Sequence, residues 1–100
     1  MNQDLHDKVH SVVTTIETGE GLTAMLEQHL GIDFIVTDRL LCKGAKILVT
    51  YGGPNIWINT QYDTVQGFWW GDEVEIPYHF NRDLLDEWVD LQFETAKGHV

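Results

Sequence analysis

The Gly-Gly-Pro-Asn run at residues 52–55 separates two stretches that are rich in β-branched and aromatic residues, AKILVTY (45–51) and NIWINT (55–60). Glycine tolerates positive φ, proline fixes its own φ, and asparagine tolerates turn geometry. Consecutive strands that are joined by a tight turn lie next to each other and run in opposite directions. This run therefore predicts two neighbouring antiparallel strands.

The same alternation of strand-like and turn-like residues continues on both sides of this pair. Three further segments have the composition of strands: IDFIVT (32–37), TVQGFWW (64–70) and EVEIPY (73–78). A short loop at residues 61–63 and a turn at Gly71-Asp72 separate the last two strands from their predecessors. Pro77 closes the final strand because it cannot donate a hydrogen bond to a neighbour.

Helical spacing appears at both ends of the chain. Leu5, Val9, Val12, Val13 and Ile16 share one helix face, and the helix ends near Gly19 and Gly21. A short second helix is predicted at residues 22–30, with Leu30 buried and Gly31 just beyond its end. Asn81 is a suitable N-cap for a last helix at residues 82–97. The prediction is one α+β domain over residues 1–100: an antiparallel β-meander of four to five strands, two N-terminal helices and one C-terminal helix.

The charge of the chain is strongly acidic and uneven. Sixteen acidic residues against six basic ones give a net charge of −10, and no Lys or Arg lies between Lys46 and Arg82. Such a field repels DNA, RNA and anionic membranes, and attracts a basic protein surface of the kind that holds nucleic acid. A high net charge also serves solubility alone, so both interpretations stay open.

The sequence also predicts where the protein acts. No apolar run has the length of a membrane span, and the N-terminus carries acids where a signal peptide carries bases. Cys42 is the single cysteine, which excludes an intrachain disulfide and fits a reducing compartment. The expected location is the cytoplasm.

No catalytic or metal-binding pattern stands out. His6 and His10 are four residues apart, but no H-E-x-x-H motif accompanies them. The glycines at 52–53 lack the lysine of a P-loop and the spacing of a dinucleotide fingerprint. Asp72 and Glu73 are adjacent and project to opposite sides of a strand, which is poor geometry for an acid–base pair. The prediction is a protein that is not an enzyme and that needs no metal or cofactor.

Strand alternation predicts an aromatic and acidic face. Ile56, Ile58, Val74 and Ile76 form a core face in this pattern, and the intervening residues point the other way. Trp69 and Trp70 are adjacent, so that one of them points outward. The candidate partner-binding residues on the sheet are Trp57, Asn59, Trp69, Trp70, Asp72, Glu73 and Glu75. The alternative is that these aromatic residues belong to the core, as most do in small domains.

The last helix carries a second acidic array. Asp83, Glu87, Asp90 and Glu94 recur at helical spacing and form one stripe. A solvated helix face is the commoner meaning of such a stripe. The functional meaning is a row of carboxylates that imitates phosphates in front of a basic groove.

The segments GGPNIWIN (52–59) and GFWWGDEVE (67–75) resemble a family of small acidic phage and prophage proteins, and the resemblance extends over residues 45–97. As a class these proteins are similar to anti-CRISPR inhibitors, which bind a Cas effector and block its nucleic-acid channel or its nuclease. The resemblance implies a stoichiometric inhibitor, monomeric or homodimeric, in a bacterial host cell. The alternative is a regulatory or structural interaction module of phage origin without a CRISPR role.

Overall fold

The computed structural model describes residues 3–98, and these residues form three helices and one five-stranded sheet. The helices are α1 (Gln3–Thr18), α2 (Leu22–Glu27) and α3 (Arg82–Lys97), and the strands are β1 (Gly31–Val36), β2 (Cys42–Thr50), β3 (Asn55–Asn59), β4 (Thr64–Trp69) and β5 (Asp72–Pro77). All neighbouring strands are antiparallel, and their order in the sheet is their order in the chain. The predicted α+β meander is therefore confirmed, with five strands.

A row of aliphatic side chains crosses four strands and defines the inner face of the sheet. Ile47 lies opposite Ile58, Ile58 lies opposite Val65, and Val65 lies opposite Ile76. Residues that are directly opposite each other in a sheet point to the same side. The first three of these side chains are fully buried. The row is thus the floor of the hydrophobic core.

Helix α1 lies directly on this inner face at Gly67. A Cβ atom at Gly67 would lie 2.4 Å from Val9 Cγ2 and 2.9 Å from Leu5 Cδ1. Both α1 side chains are fully buried. The helix therefore packs against the backbone of β4, at a distance that only a glycine permits.

Helix α3 covers the part of the inner face that belongs to β1 and β2. Phe34 lies opposite Ala45 in the sheet and contacts Phe93 of α3, with ring centroids 5.3 Å apart. Leu85 and Val89 of the same helix are buried in the core. Because α1 and α3 pack on one side, neither covers the other side of the sheet, which we call the outer face.

The segment between β5 and α3 ties the end of α1 to the sheet. Asn81 was predicted to cap α3, but its side chain makes no cap hydrogen bond, and its φ is 64°. Its amide instead donates to the carbonyl of Ile16 at 2.8 Å, and the Glu17 carboxylate accepts from the His79 amide at 2.8 Å. Asn81 thus occupies the predicted N-cap position, but its side chain does not cap α3, because the last carbonyls of α1 also need partners and lie close by.

Helix α2 is shorter than predicted. It ends at Glu27, and the side chain of Leu30, which was expected in the core, is 59% exposed. The Leu30 amide donates to the carbonyl of Leu48 at 2.8 Å, and Gly31 already belongs to β1. The backbone of Leu30, which helical periodicity assigned to α2, is thus hydrogen-bonded to β2 instead.

The contact at Gly67 predicts a sharp difference between two glycine substitutions. Gly67→Ala should lower the free energy of unfolding by about 1–3 kcal/mol, because the new methyl group forces α1 away from the sheet. Gly31→Ala is the matched strand control, since a Cβ there meets no atom within 4 Å. Urea unfolding of both variants measures the effect, and equal midpoints for Gly67→Ala and the wild type would contradict this packing.

Candidate functional site

The Trp57 side chain lies at the centre of the outer face, and the Lys46 side chain lies over its ring. Trp57 lies opposite Leu48 on one side and opposite Gln66 on the other, and it is partly buried. The Lys46 Nζ lies 5.3 Å from the centroid of the Trp57 ring, within the range of a cation–π contact. The face of this indole is therefore already occupied by a cation of the same chain.

Glu75 also has partners within the sheet. One of its carboxylate oxygens accepts hydrogen bonds from Thr64 Oγ1 at 2.9 Å and from Gln66 Nε2 at 2.8 Å. The two donors lie on β4, and Gln66 is directly opposite Glu75. The Glu75 carboxylate is therefore held against the outer face by these hydrogen bonds and is less free to contact another molecule.

The turn between β4 and β5 brings the most exposed tryptophan to one end of the sheet. Trp69 lies opposite Asp72, so Trp70 and Gly71 form a two-residue loop, and their φ angles are 55° and 81°. Two consecutive positive φ angles are typical of a type I′ turn, which favours Asn-Gly. Trp70 is 86% exposed. A bulky side chain in this backbone region is uncommon.

Trp69 lies on the opposite side of the sheet from the expected docking face. It shares the inner face with Gly67 and Val65, two and four residues before it, and it packs against the core. Sequence alternation indicated that one of the two adjacent tryptophans points outward. Trp70 does so, although from the turn and not from a strand. The predicted turn at Gly71-Asp72 is one residue too late.

Asn59 is buried and serves the fold. Its side chain is only 5% exposed, and its Oδ1 accepts hydrogen bonds from the amides of Gln61 and Tyr62 at 3.0 and 3.1 Å. Side chains of this type stabilise turns by such bonds. Asn59 was expected among the docking residues, but its position under the β3–β4 loop leaves no surface for a partner.

Asp72 and Glu73 directly follow the exposed turn, at the start of β5, and point to opposite faces of the sheet. Both are exposed, and within residues 3–98 neither carboxylate has a hydrogen bond or an ion pair of its own chain. Glu73 lies opposite Phe68, and Phe68 lies opposite Asn55. These three residues form the last row of the outer face. Phe68 and Asn55 were missed by sequence reasoning, although alternation from the buried Gly67 places Phe68 outward.

The acidic stripe of α3 lies on the other side of the molecule. All four of its members are exposed: Asp83, Glu87, Asp90 and Glu94. Lys97 Nζ lies 3.6 Å from a carboxylate oxygen of Glu94. The Trp88 ring of α3 turns inward against His29, with centroids 5.3 Å apart. The sheet residues and the helix stripe therefore cannot form one contact surface.

A third acidic group lines an open groove between α3 and the β3–β4 loop. Asp63, Asp86 and Asp90 line it, and Arg82 lies 3.5 Å from Asp63. Partial burial, together with Asp63 and other neighbouring carboxylates, raises the pKa of Asp86. Burial and the same two carboxylates also raise the pKa of the Tyr78 hydroxyl, which faces Asp63 without a hydrogen bond of good geometry. The groove thus collects negative charge at some cost to the fold.

Within residues 3–98 no helix is long and apolar enough to cross a membrane, and no group of three or more His, Cys, Asp or Glu side chains is placed to hold a metal ion. His6 and His10 stack with their ring centroids 6.3 Å apart. At the turn end of the sheet, the rings of Phe68 and Trp70 and the carboxylate of Glu73 suit binding of a cationic group.

Comparison of the chain with models of known protein families, with curated proteins and with solved structures finds no significant match. The resemblance of residues 45–97 to small phage proteins therefore stays a prediction.

The raised pKa of Asp86 predicts that removing its charge increases the stability of the protein, and that the increase depends on pH. An acid with a raised folded-state pKa costs stability as pH rises from its unfolded pKa, about 3.9, through the folded pKa. Asp86→Asn should therefore raise the free energy of unfolding at pH 7. We expect less than about 1 kcal/mol, since Asp86 is largely exposed.

Thermal unfolding at pH 7 and at pH 3 measures this effect. The gain should vanish at pH 3, where both states are protonated. Glu20→Gln, which removes one exposed charge elsewhere, is the control. Destabilisation by Asp86→Asn at pH 7 would contradict the assigned environment.

Proposed function

We propose that this protein is a stoichiometric, non-catalytic inhibitor that docks onto the basic, nucleic-acid-binding surface of a partner protein. The observation that supports it most is the pair of unpartnered carboxylates, Asp72 and Glu73, beside the exposed ring of Trp70. Glu73 points to the outer face, which neither α1 nor α3 covers, and Asp72 lies at the turn end of the same strand. The resemblance to small acidic phage proteins favours a Cas effector of a bacterial CRISPR system as the partner.

The charge and the aromatic surface have separate roles in this proposal. A net charge of −10 steers the protein toward a surface of lysine and arginine, and accelerates the encounter. Buried aromatic anchors dominate the energy of most interfaces and slow dissociation. An inhibitor of this kind occupies the groove that the nucleic acid needs, and nucleic acid itself is repelled by the same field.

The sheet side supports docking better than the stripe on α3. Trp70 gives the sheet side an exposed anchor, whereas the two aromatic residues of α3, Trp88 and Phe93, pack inward. Carboxylates alone on a solvated helix provide steering but little burial. We therefore assign docking to the end of the sheet and a long-range electrostatic role to the helix.

A homodimeric interaction module is the second candidate. Leu48, Trp57 and Phe68 are partly buried on the outer face and belong to neighbouring strands. A second copy could cover them. Two copies of net charge −10 repel each other, so salt should strengthen this dimer, whereas salt should weaken docking to a basic partner.

Binding to purified Cas effectors of several types tests the first candidate. We expect an effector that binds the protein to lose target DNA loading, and its affinity for the protein to fall about tenfold or more between 50 and 500 mM salt. Unchanged DNA loading by all effectors would remove the Cas assignment. Sedimentation at both salt concentrations tests the dimer.

Charge reversal identifies the docking side. Glu73→Lys should weaken binding to the basic partner by about fivefold or more, because it replaces an attractive contact by a repulsive one. Glu87→Lys on α3 makes the same change in net charge and is the matched comparison, with a smaller expected effect on affinity. A larger loss for Glu87→Lys would move the docking side to the helix.

A further inference from the structure

An open depression of about 260 Å³ lies at the end of the sheet, between the Gly-Gly-Pro-Asn turn and the Trp70-Gly71 turn. The two segments that carry the phage-protein resemblance meet here in space. Its lining contains three aromatic residues, two carboxylates, one amide side chain and two glycines, and no basic residue: Gly53, Asn55, Phe68, Trp69, Trp70, Gly71, Asp72 and Glu73. This chemistry is complementary to a cation that also has a flat, weakly hydrated surface.

The polar groups of the depression are unused within the chain. Across residues 3–98, the side chains of Asn55, Asp72 and Glu73 make no hydrogen bond or ion pair. The centre of the same outer face differs, because Lys46 covers Trp57 there and Glu75 is bonded to β4. Lys46 thus provides a cation at the centre of the outer face, whereas no basic residue lines the depression at the end of the sheet.

Trp70 contributes little to the fold from its position. It is 86% exposed, and its φ of 55° disfavours a bulky side chain where asparagine would fit. Backbone conformations of this kind are concentrated at ligand-binding sites. The exposure, the backbone and the adjacent carboxylates together indicate a ring that contacts a ligand.

We propose that this depression binds one arginine side chain of the basic partner. The guanidinium group lies against the Trp70 ring and donates hydrogen bonds to the Glu73 carboxylate, which points to the outer face beside Phe68 and Asn55. Asp72, on the other side of the same strand end, adds to the negative charge that attracts the cation. Arginine fits better than lysine, because its planar group stacks on rings, has five donors and is more weakly hydrated than an ammonium group. The inference rests on the proposed function and specifies the group of the partner that anchors the complex.

A peptide titration tests the site without the partner protein. The probes are Ac-Gly-Arg-Gly-NH₂, the matching lysine peptide and the matching citrulline peptide, which is neutral and nearly isosteric with the arginine peptide. We expect the arginine peptide to shift the NMR signals of the Trp70 indole N–H and of the Gly53 and Gly71 amides in ¹⁵N-labelled protein. Equal shifts with citrulline would overturn the charge recognition, and equal shifts with lysine would overturn the preference for guanidinium.

Two variants connect these shifts to the depression. Trp70→Asn should abolish the arginine-induced shifts of Gly53 and Gly71, while its unfolding midpoint stays equal to that of the wild type or rises, because Asn-Gly suits the turn. Glu20→Gln is the charge control at the other end of the sheet, where Gly19 adjoins Asn81, and should leave the shifts unchanged. Retained shifts in a folded Trp70→Asn protein would overturn the proposal.

The two proposals fail in different ways. If the wild type and Trp70→Asn bind a basic partner protein equally, the arginine site is wrong and the proposed function stands. If the arginine peptide shifts the expected signals and no basic partner is bound, the site stands and the proposed function is wrong.

Discussion

The contact between α1 and the backbone of β4 at Gly67 is the constraint on which the rest of the structure depends. Leu5 and Val9 fill the space that a side chain at position 67 would need. A helix that lies this close selects one face of the sheet as the core. The row that contains Ile47 and Ile58 is then sealed, and the residues between them must point away from the helices.

Because the helices cover the inner face, the outer face stays open. Strand pairing then determines which charged side chains on this face have partners. Lys46 and Trp57 belong to adjacent strands and come together only through the register of β2 and β3. Glu75 is engaged by its neighbours on β4 in the same way. The centre of the face is therefore locally neutral and satisfied, in a protein of net charge −10. The unsatisfied acids remain at the turn end, where no neighbouring strand offers a partner.

The molecule carries two local arrangements that do not favour its own stability. One is the groove of Asp63, Asp86 and Asp90, where Arg82 forms an ion pair with Asp63 but none is formed by Asp86 or Asp90 among the described residues. The other is the type I′ turn with a tryptophan in a position that suits asparagine. Small domains tolerate such features when the core is well packed, as it is beneath α1 and α3. Features of this kind in a natural protein are where binding sites are expected.

The sequence by itself determined the order and type of the elements, an antiparallel meander of four to five strands and the outward position of Trp57. These follow from local information: turn residues, alternation along a strand and helical spacing. Only the tertiary structure decided that Asn81 serves α1, that Asn59 is buried, that Trp69 joins the core and that Lys46 covers Trp57. Each of these depends on which distant backbone or side chain comes near, and strand register and helix placement, which set those distances, are not encoded in any single segment.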